Sequence, residues 1–203
     1  MWKGFFLGIV ATIVVALAAG YIGIVTGRLI PANADARPSR LERWAANASL
    51  DAALNRDVPG LQNPLQANDV NELAGAKLFG QNCAVCHGDS SGRPTVIAFG
   101  MYQRAPTFGR RGLTHEPDAE TYWKITHGIR LTGMPSFVKT LDDTQRWQIA
   151  TFLKHMDTLT TATQMAWKKV HVRAVPAALI PRMRDGPGGR EGDGSMQPSP
   201  PPG

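Results

Sequence analysis

The pattern of hydrophobic and polar residues changes along the chain, and it begins with an uninterrupted apolar run. Residues 5–25 read FFLGIVATIVVALAAGYIGIV and contain no charged side chain. As an α-helix this run would extend about 30 Å, the thickness of the hydrocarbon layer of a bilayer. The pattern predicts a transmembrane helix within residues 1–30. Small residues at 16–18 and 32–34 resemble signal-peptidase sites, so cleavage of the segment remains an alternative.

A helical pattern then begins in the segment that links this run to the body of the chain, residues 31–68. Ser39 is followed three residues later by Glu42, which predicts a capping box and a helix over residues 39–56. One side of this helix carries Leu41, Trp44, Ala45, Ala48 and Ala52. The helix is a spacer, packs on the folded domain or rests at the membrane surface, and the pattern does not distinguish these alternatives.

Helical periodicity also dominates residues 69–157, where no convincing strand is found. Capping boxes predict helix starts at Asp69, with Glu72, and at Asp142, with Gln145. A helix over residues 117–127 should end at Gly128. Residues 88–113 are rich in Gly, Pro and Arg and predict a long loop.

The end of the chain differs from the body in composition. Residues 158–183 are predicted to be an extension with a short helix over 160–170. Residues 184–203 contain almost nothing but Gly, Pro, Ser and charged side chains, which predicts a disordered tail. The patterns together predict an all-α protein with one small domain.

The net charge of +6 does not indicate a nucleic-acid-binding protein, because it is spread along the chain. Residues 1–68 contribute +2, residues 69–157 contribute +1 and residues 158–203 contribute +3. Such a distribution is typical of ordinary solvation rather than of a surface that follows phosphates. No nucleic-acid partner is expected.

The two cysteines carry the strongest chemical signal. Cys83, Cys86 and His87 form the sequence C-x-x-C-H, which is the attachment sequence of a c-type haem. Two thiols spaced by one helical turn can each add to a vinyl group of one porphyrin, and the adjacent imidazole then lies below the iron. Zinc would require a second ligand pair, and a thioredoxin-like dithiol would require a βαβ context, and neither is found.

Methionine is the thioether ligand that, opposite histidine, raises the potential of an electron-transfer haem. Met134 is the strongest candidate, because it lies between Gly133 and Pro135 in a constrained loop. Met101 is the main alternative, and a second histidine, His115 or His127, is a further one.

The segments AGAKLFGQNCAVCHG, APTF and WKITHGIRLTGMPSF, followed by a closing helix, resemble a membrane-anchored class I c-type cytochrome with one haem. The resemblance covers residues 69–157. It implies a small all-α fold around one covalent haem c, in which Gly75 and Phe79 of the first helix meet the last helix at Trp147 or Phe152.

The same resemblance implies further residues near the haem. A proline carbonyl should accept the N–H of His87, and Pro106 fits this role better than Pro94. Trp123 and Arg130 are candidate donors to the haem propionates, although core packing and simple exposure explain them equally well. The segment 89–104 is longer than in the smallest members of the family.

A six-coordinate haem is suited to moving single electrons, so we expect an electron carrier and no catalytic residues. The resemblance implies a bacterial inner-membrane protein with its haem domain in the periplasm and with redox proteins as partners. The arginines at positions 28, 37, 40 and 43 conflict with this orientation under the positive-inside rule. A fixed subunit of a larger oxidoreductase and, less favoured, an open-iron sensor or peroxidase are the alternatives.

Overall fold

The computed structural model describes residues 2–27, 32–36 and 38–179, and the predicted tail at 184–203 lies outside this part of the chain. The helices are α1 (Trp2–Val25), α2 (Arg40–Asp57), α3 (Asp69–Asn82), α4 (Ala84–His87), α5 (Val96–Gly100), α6 (Asp118–His127), α7 (Asp143–Lys154) and α8 (Thr161–Lys168). A short 3₁₀ turn covers Ala177–Leu179. Over the described residues the only extended pairing is an isolated bridge between Thr95 and Ala174. The predicted all-α class is confirmed.

The chain divides into two compact units, residues 1–36 and residues 37–203. The first consists of α1, whose side chains are almost all exposed and whose mean hydropathy reaches 2.4 over an 18-residue window. By length and composition α1 is able to cross a membrane once.

Helix starts follow the predicted caps in two of three cases. Ser39 caps α2 and Asp142 caps α7, each with a complete capping box. Helix α3 starts at Asp69 as predicted, but its capping residue is Asn68, whose side chain accepts a hydrogen bond from the backbone N–H of Asn71. Glu72, expected to complete a box with Asp69, is instead buried.

The core of the second unit is built where α3 crosses α7. A Cβ at Gly75 would lie 2.1 Å from the carbonyl oxygen of Gln148 and 2.7 Å from Cβ of Phe152. Phe79 lies one turn further along and packs on Phe152 with ring centroids 5.8 Å apart. Only glycine permits this approach, so the predicted contact of Gly75 and Phe79 is found at Phe152 rather than at Trp147.

Trp147 faces the other side of α7, towards α6. Its ring stacks on Tyr122 with centroids 3.9 Å apart and packs with Ala119 and Ala150. Leu65, from the segment between α2 and α3, packs on the same cluster. The end of the predicted linker therefore contributes to the folded domain.

Helix α2 packs on the domain through the face opposite to its apolar stripe. Leu54 is the buried residue of α2, and Leu50 is half-buried, whereas Leu41 and Trp44 are exposed. The stripe of Leu41, Trp44, Ala45, Ala48 and Ala52 faces solvent.

The segment after residue 157, predicted to be an extension, packs on the core. Trp167 of α8 contacts Phe79 and Phe152, with ring centroids 5.4 and 5.6 Å away, and donates a hydrogen bond to the carbonyl of Gly109. Val175 is almost fully buried. Residues 159–175 therefore complete the domain and cover the loop 88–113, in which the sequence pattern did not indicate α5.

Candidate haem-binding site

The two cysteines lie on one helical turn at the end of α3. The backbone N–H groups of Cys86 and His87 both donate to the carbonyl of Cys83, which makes α4 a single turn. Both thiols are free. Burial raises the pKa of Cys83 to about 12 and also raises the pKa of Cys86. At neutral pH both thiols are therefore protonated, and protonated thiols are poor redox nucleophiles.

His87 is oriented by a backbone carbonyl from the long loop. Its Nδ1 lies 2.9 Å from the carbonyl oxygen of Pro106. A carbonyl only accepts, so Nδ1 carries the proton and Nε2 presents its lone pair. Burial lowers the pKa of His87, partly offset by the bond to Pro106, so the imidazole is neutral. A neutral imidazole with a free Nε2 is the form that binds iron.

Aromatic side chains fix the plane of this imidazole. Phe108 stacks on His87 with ring centroids 4.8 Å apart and an interplanar angle of 10°. Phe79 lies on another side, at a centroid distance of 6.3 Å. Sequence reasoning did not assign a role to Phe108, although it belongs to the APTF segment on which the resemblance rests. The sequence signal that could have indicated its role was its position two residues after Pro106.

Met134 lies in a loop that starts where Gly128 ends α6. Gly128 ends α6 with a φ of +66°, and a Cβ there would lie within 2.7 Å of the backbone of residues 134–136. The hydroxyl of Thr132 accepts a hydrogen bond from the backbone N–H of Met134. The half-buried Met134 packs against the same apolar cluster as Cys83. The fold thus places this methionine against the core cluster to which Cys83 belongs.

The alternative ligands occupy different surroundings. Met101 lies beside the Met134 loop, because a Cβ at Gly133 would lie 3.0 Å from the Met101 sulfur. His115 and His127 are exposed, and His127 packs on Trp123 with ring centroids 4.8 Å apart.

Among the described residues, no contact links Trp123 or Arg130 to His87. The indole nitrogen of Trp123 is buried and makes no hydrogen bond within ordinary geometric limits. The pKa of the nearby Asp57 carboxyl is lowered first by Arg56 and further by Trp123 and His127. The indole of Trp123 therefore lies close enough to the Asp57 carboxyl group to lower its pKa. Arg130 is exposed.

The zinc alternative finds no support in the described part of the chain. Within residues 2–27, 32–36 and 38–179 no three His, Cys, Asp or Glu side chains cluster in a way that could bind a metal ion. The two neighbouring thiols and the one oriented imidazole fit the attachment of a haem instead.

Comparison with known proteins agrees with this donor set. Residues 70–153 match the family model described as Cytochrome C oxidase, cbb3-type, subunit III. The chain therefore contains a class I c-type cytochrome domain over residues 70–153, as the resemblance predicted. Such a domain implies covalently bound haem c and electron transfer.

No curated protein matches the chain. Among solved structures, a chain of the reducing HAO-like protein complex of Kuenenia stuttgartiensis is 28% identical, with a TM-score of 0.37. The match covers 49% of this chain and 48% of that one, so the chain spans about half the length of this relative.

Proposed function

We propose that this protein is a membrane-anchored monohaem cytochrome c. It carries single electrons between respiratory or photosynthetic redox partners on the periplasmic side of a bacterial inner membrane. The observation that carries the proposal is the hydrogen bond between His87 and Pro106, which presents a neutral, oriented Nε2 beside two free thiols.

The residues have distinct roles at one covalently bound haem c, which supplies a one-electron Fe(III)/Fe(II) couple. Cys83 and Cys86 would hold the group through thioether bonds, and the Nε2 atom of His87 would bind its iron. Pro106 and Phe108 fix the tautomer and the plane of the imidazole, so little rearrangement accompanies a change of charge. A stiff ligand environment favours rapid electron transfer.

Met134 is proposed as the second axial ligand. Its loop is restrained at Gly128 and at Thr132, so a thioether there loses little freedom on binding iron. Thioether ligation raises the potential and leaves no open iron position, which is suited to a carrier rather than to a sensor or peroxidase. Trp123 and Arg130 are proposed as donors to the haem propionates.

The proposed membrane anchor is inferred from α1, and the proposed periplasmic location is inferred from the class of protein. Helix α1 has the length and hydropathy of a single span, and haem c is joined outside the cytoplasm, as the resemblance implies. Mass spectrometry of the membrane-extracted protein tests the anchor. A mass lower by the residues before position 18 or 34 would show cleavage and contradict it.

Visible absorption spectra of the ferric and ferrous protein, produced with the haem-attachment machinery, test the haem site. A low-spin spectrum that carbon monoxide does not change is expected. A high-spin or carbon-monoxide-binding ferrous haem would contradict the carrier function and favour the open-iron alternative.

A fixed subunit of a larger oxidoreductase is the second candidate, favoured by one observation. The matching family model is named for a subunit of an oxidase. Purification after mild detergent extraction separates the two functions. A mobile carrier should elute alone, whereas stoichiometric partners that withstand salt would show a fixed subunit.

A further inference from the structure

Helix α2 presents an apolar face that no part of the described domain covers. The outer face of α2 is defined here as Leu41, Trp44, Ala45, Ala48 and Ala52. We propose that this face lies in the headgroup region of the lipid bilayer and so fixes the cytochrome domain against the membrane. The proposal rests on the proposed anchoring by α1.

The geometry of α2 separates the two faces completely. At about 100° per residue, Leu50 points away from the outer face by half a turn of the helix. Leu50 is half-buried and Leu54 is 7% exposed, whereas Leu41 is 71% and Trp44 is 67% exposed. The domain therefore occupies one side of α2 and leaves two large apolar side chains on the other.

The chemistry of the outer face favours a lipid surface over a protein partner. Tryptophan is enriched at membrane interfaces, and a narrow apolar strip with polar flanks is typical of helices that lie in the interface plane. Arg40, at the first position of α2, is exposed and is able to pair with an anionic headgroup.

The length of the segment between α1 and α2 limits the distance between the outer face and the proposed span. Residues 26–39, the 14 residues between α1 and α2, reach at most about 50 Å when fully extended. The tether gives α2 a high effective concentration at the membrane, so a small apolar face is sufficient for a lasting contact.

A contact of this kind would restrict the orientation of the whole domain. Leu54 is buried in the domain, and the carboxylate of Glu42 accepts a hydrogen bond from the hydroxyl of Tyr102. Tyr102 follows Met101, which packs beside the Met134 loop. The bilayer would therefore set which side of the haem region faces partners that diffuse in the membrane plane.

The test uses the full-length holoprotein in nanodiscs of phosphatidylcholine and phosphatidylglycerol. A nitroxide is attached at residue 48 after Ala48→Cys, and at the exposed residue 157 after Asp157→Cys as a matched control. We expect the label at 48 to be several-fold less accessible to a water-soluble nickel chelate and more accessible to oxygen than the control label. Haem content measured for both variants verifies that attachment is normal.

A second variant makes the result specific for the apolar face. Adding Leu41→Ser and Trp44→Ser should return the label at 48 to the nickel accessibility of the control. Equal accessibility of both labels in nanodisc-bound protein would overturn the lipid contact and leave the anchor intact. Dipolar broadening between labels would indicate a second copy instead and would overturn it as well. Protein that does not enter nanodiscs would overturn the anchor, and the present proposal with it.

Discussion

The sulfur of Met101 packs against Gly133, where a Cβ would lie only 3.0 Å from it. Gly133 directly precedes Met134, so the two methionines that the sequence offers as haem ligands share one neighbourhood. They are 33 positions apart in the sequence, and the fold brings them together. A ligand assignment therefore requires both methionines to be changed in parallel.

Replacing the proposed axial ligand should change the iron directly. Met134→Ala is expected to lower the reduction potential, by a substantial part of the roughly 0.8 V range that axial ligands span. It should also let ferrous haem bind carbon monoxide. Redox titration and carbon monoxide difference spectra measure the two effects.

Met101→Ala is the matched control, because it removes the neighbouring thioether and leaves Met134 in place. Both readouts should stay close to those of the unaltered protein. The reverse pattern, with large effects from Met101→Ala and small ones from Met134→Ala, would assign the ligand to Met101.

The crossing of α3 and α7 depends on the absence of a side chain at Gly75. Gly75→Ala would place Cβ 2.1 Å from the carbonyl oxygen of Gln148, and backbone must move to accept it. We expect a loss of about 3 kcal/mol or more in the free energy of unfolding, at the upper end of overpacking effects. Denaturant titration of the ferric protein measures it. Gly100→Ala, with no atom within 4 Å of the new Cβ, should be nearly neutral.

The segment after α7 should be necessary for stability. Trp167→Ala removes the contacts with Phe79 and Phe152 and the bond to Gly109, at a cost of about 3–5 kcal/mol. Met165→Ala, on the exposed side of α8, should change stability by less than about 0.5 kcal/mol. Thermal unfolding of both variants should give a clearly lower midpoint temperature for Trp167→Ala. Similar midpoint temperatures would show that α8 is not part of the cooperative domain.

Burial of a carboxyl group at Glu72 predicts a pH dependence. Burial raises the pKa of Glu72, and the charge of His155 only partly offsets this. The ionised form is therefore disfavoured in the folded protein, and the penalty is full above the folded pKa and absent below the unfolded value of about 4. Glu72→Gln should stabilise the protein at pH 7, with the gain disappearing as the pH falls to about 4.

Chemical denaturation at several pH values measures this dependence. Asp157→Asn, at an exposed carboxylate, provides the comparison and should show no such trend. A gain from Glu72→Gln that persisted unchanged at low pH would indicate a packing effect rather than removal of a buried charge.

Local signals in the sequence were sufficient where one side chain acts on nearby backbone. The capping boxes at Ser39 and Asp142 and the end of α6 at Gly128 were predicted correctly, because cap formation involves residues three or four positions apart. The start of α3 at Asp69 was also predicted correctly, but the capping box was wrong, because Asn68 is the capping residue and Glu72 is buried.

The sequence by itself determined the all-α class and the C-x-x-C-H chemistry, because both depend on contacts within one or two helical turns. Only the tertiary structure decided which face of α2 packs on the domain and that α8 completes the core. It also brought Pro106 and Phe108 to His87, and Met101 to the loop of Met134. These relationships depend on which distant surfaces bury each other, and periodicity along one helix contains no information about its partner.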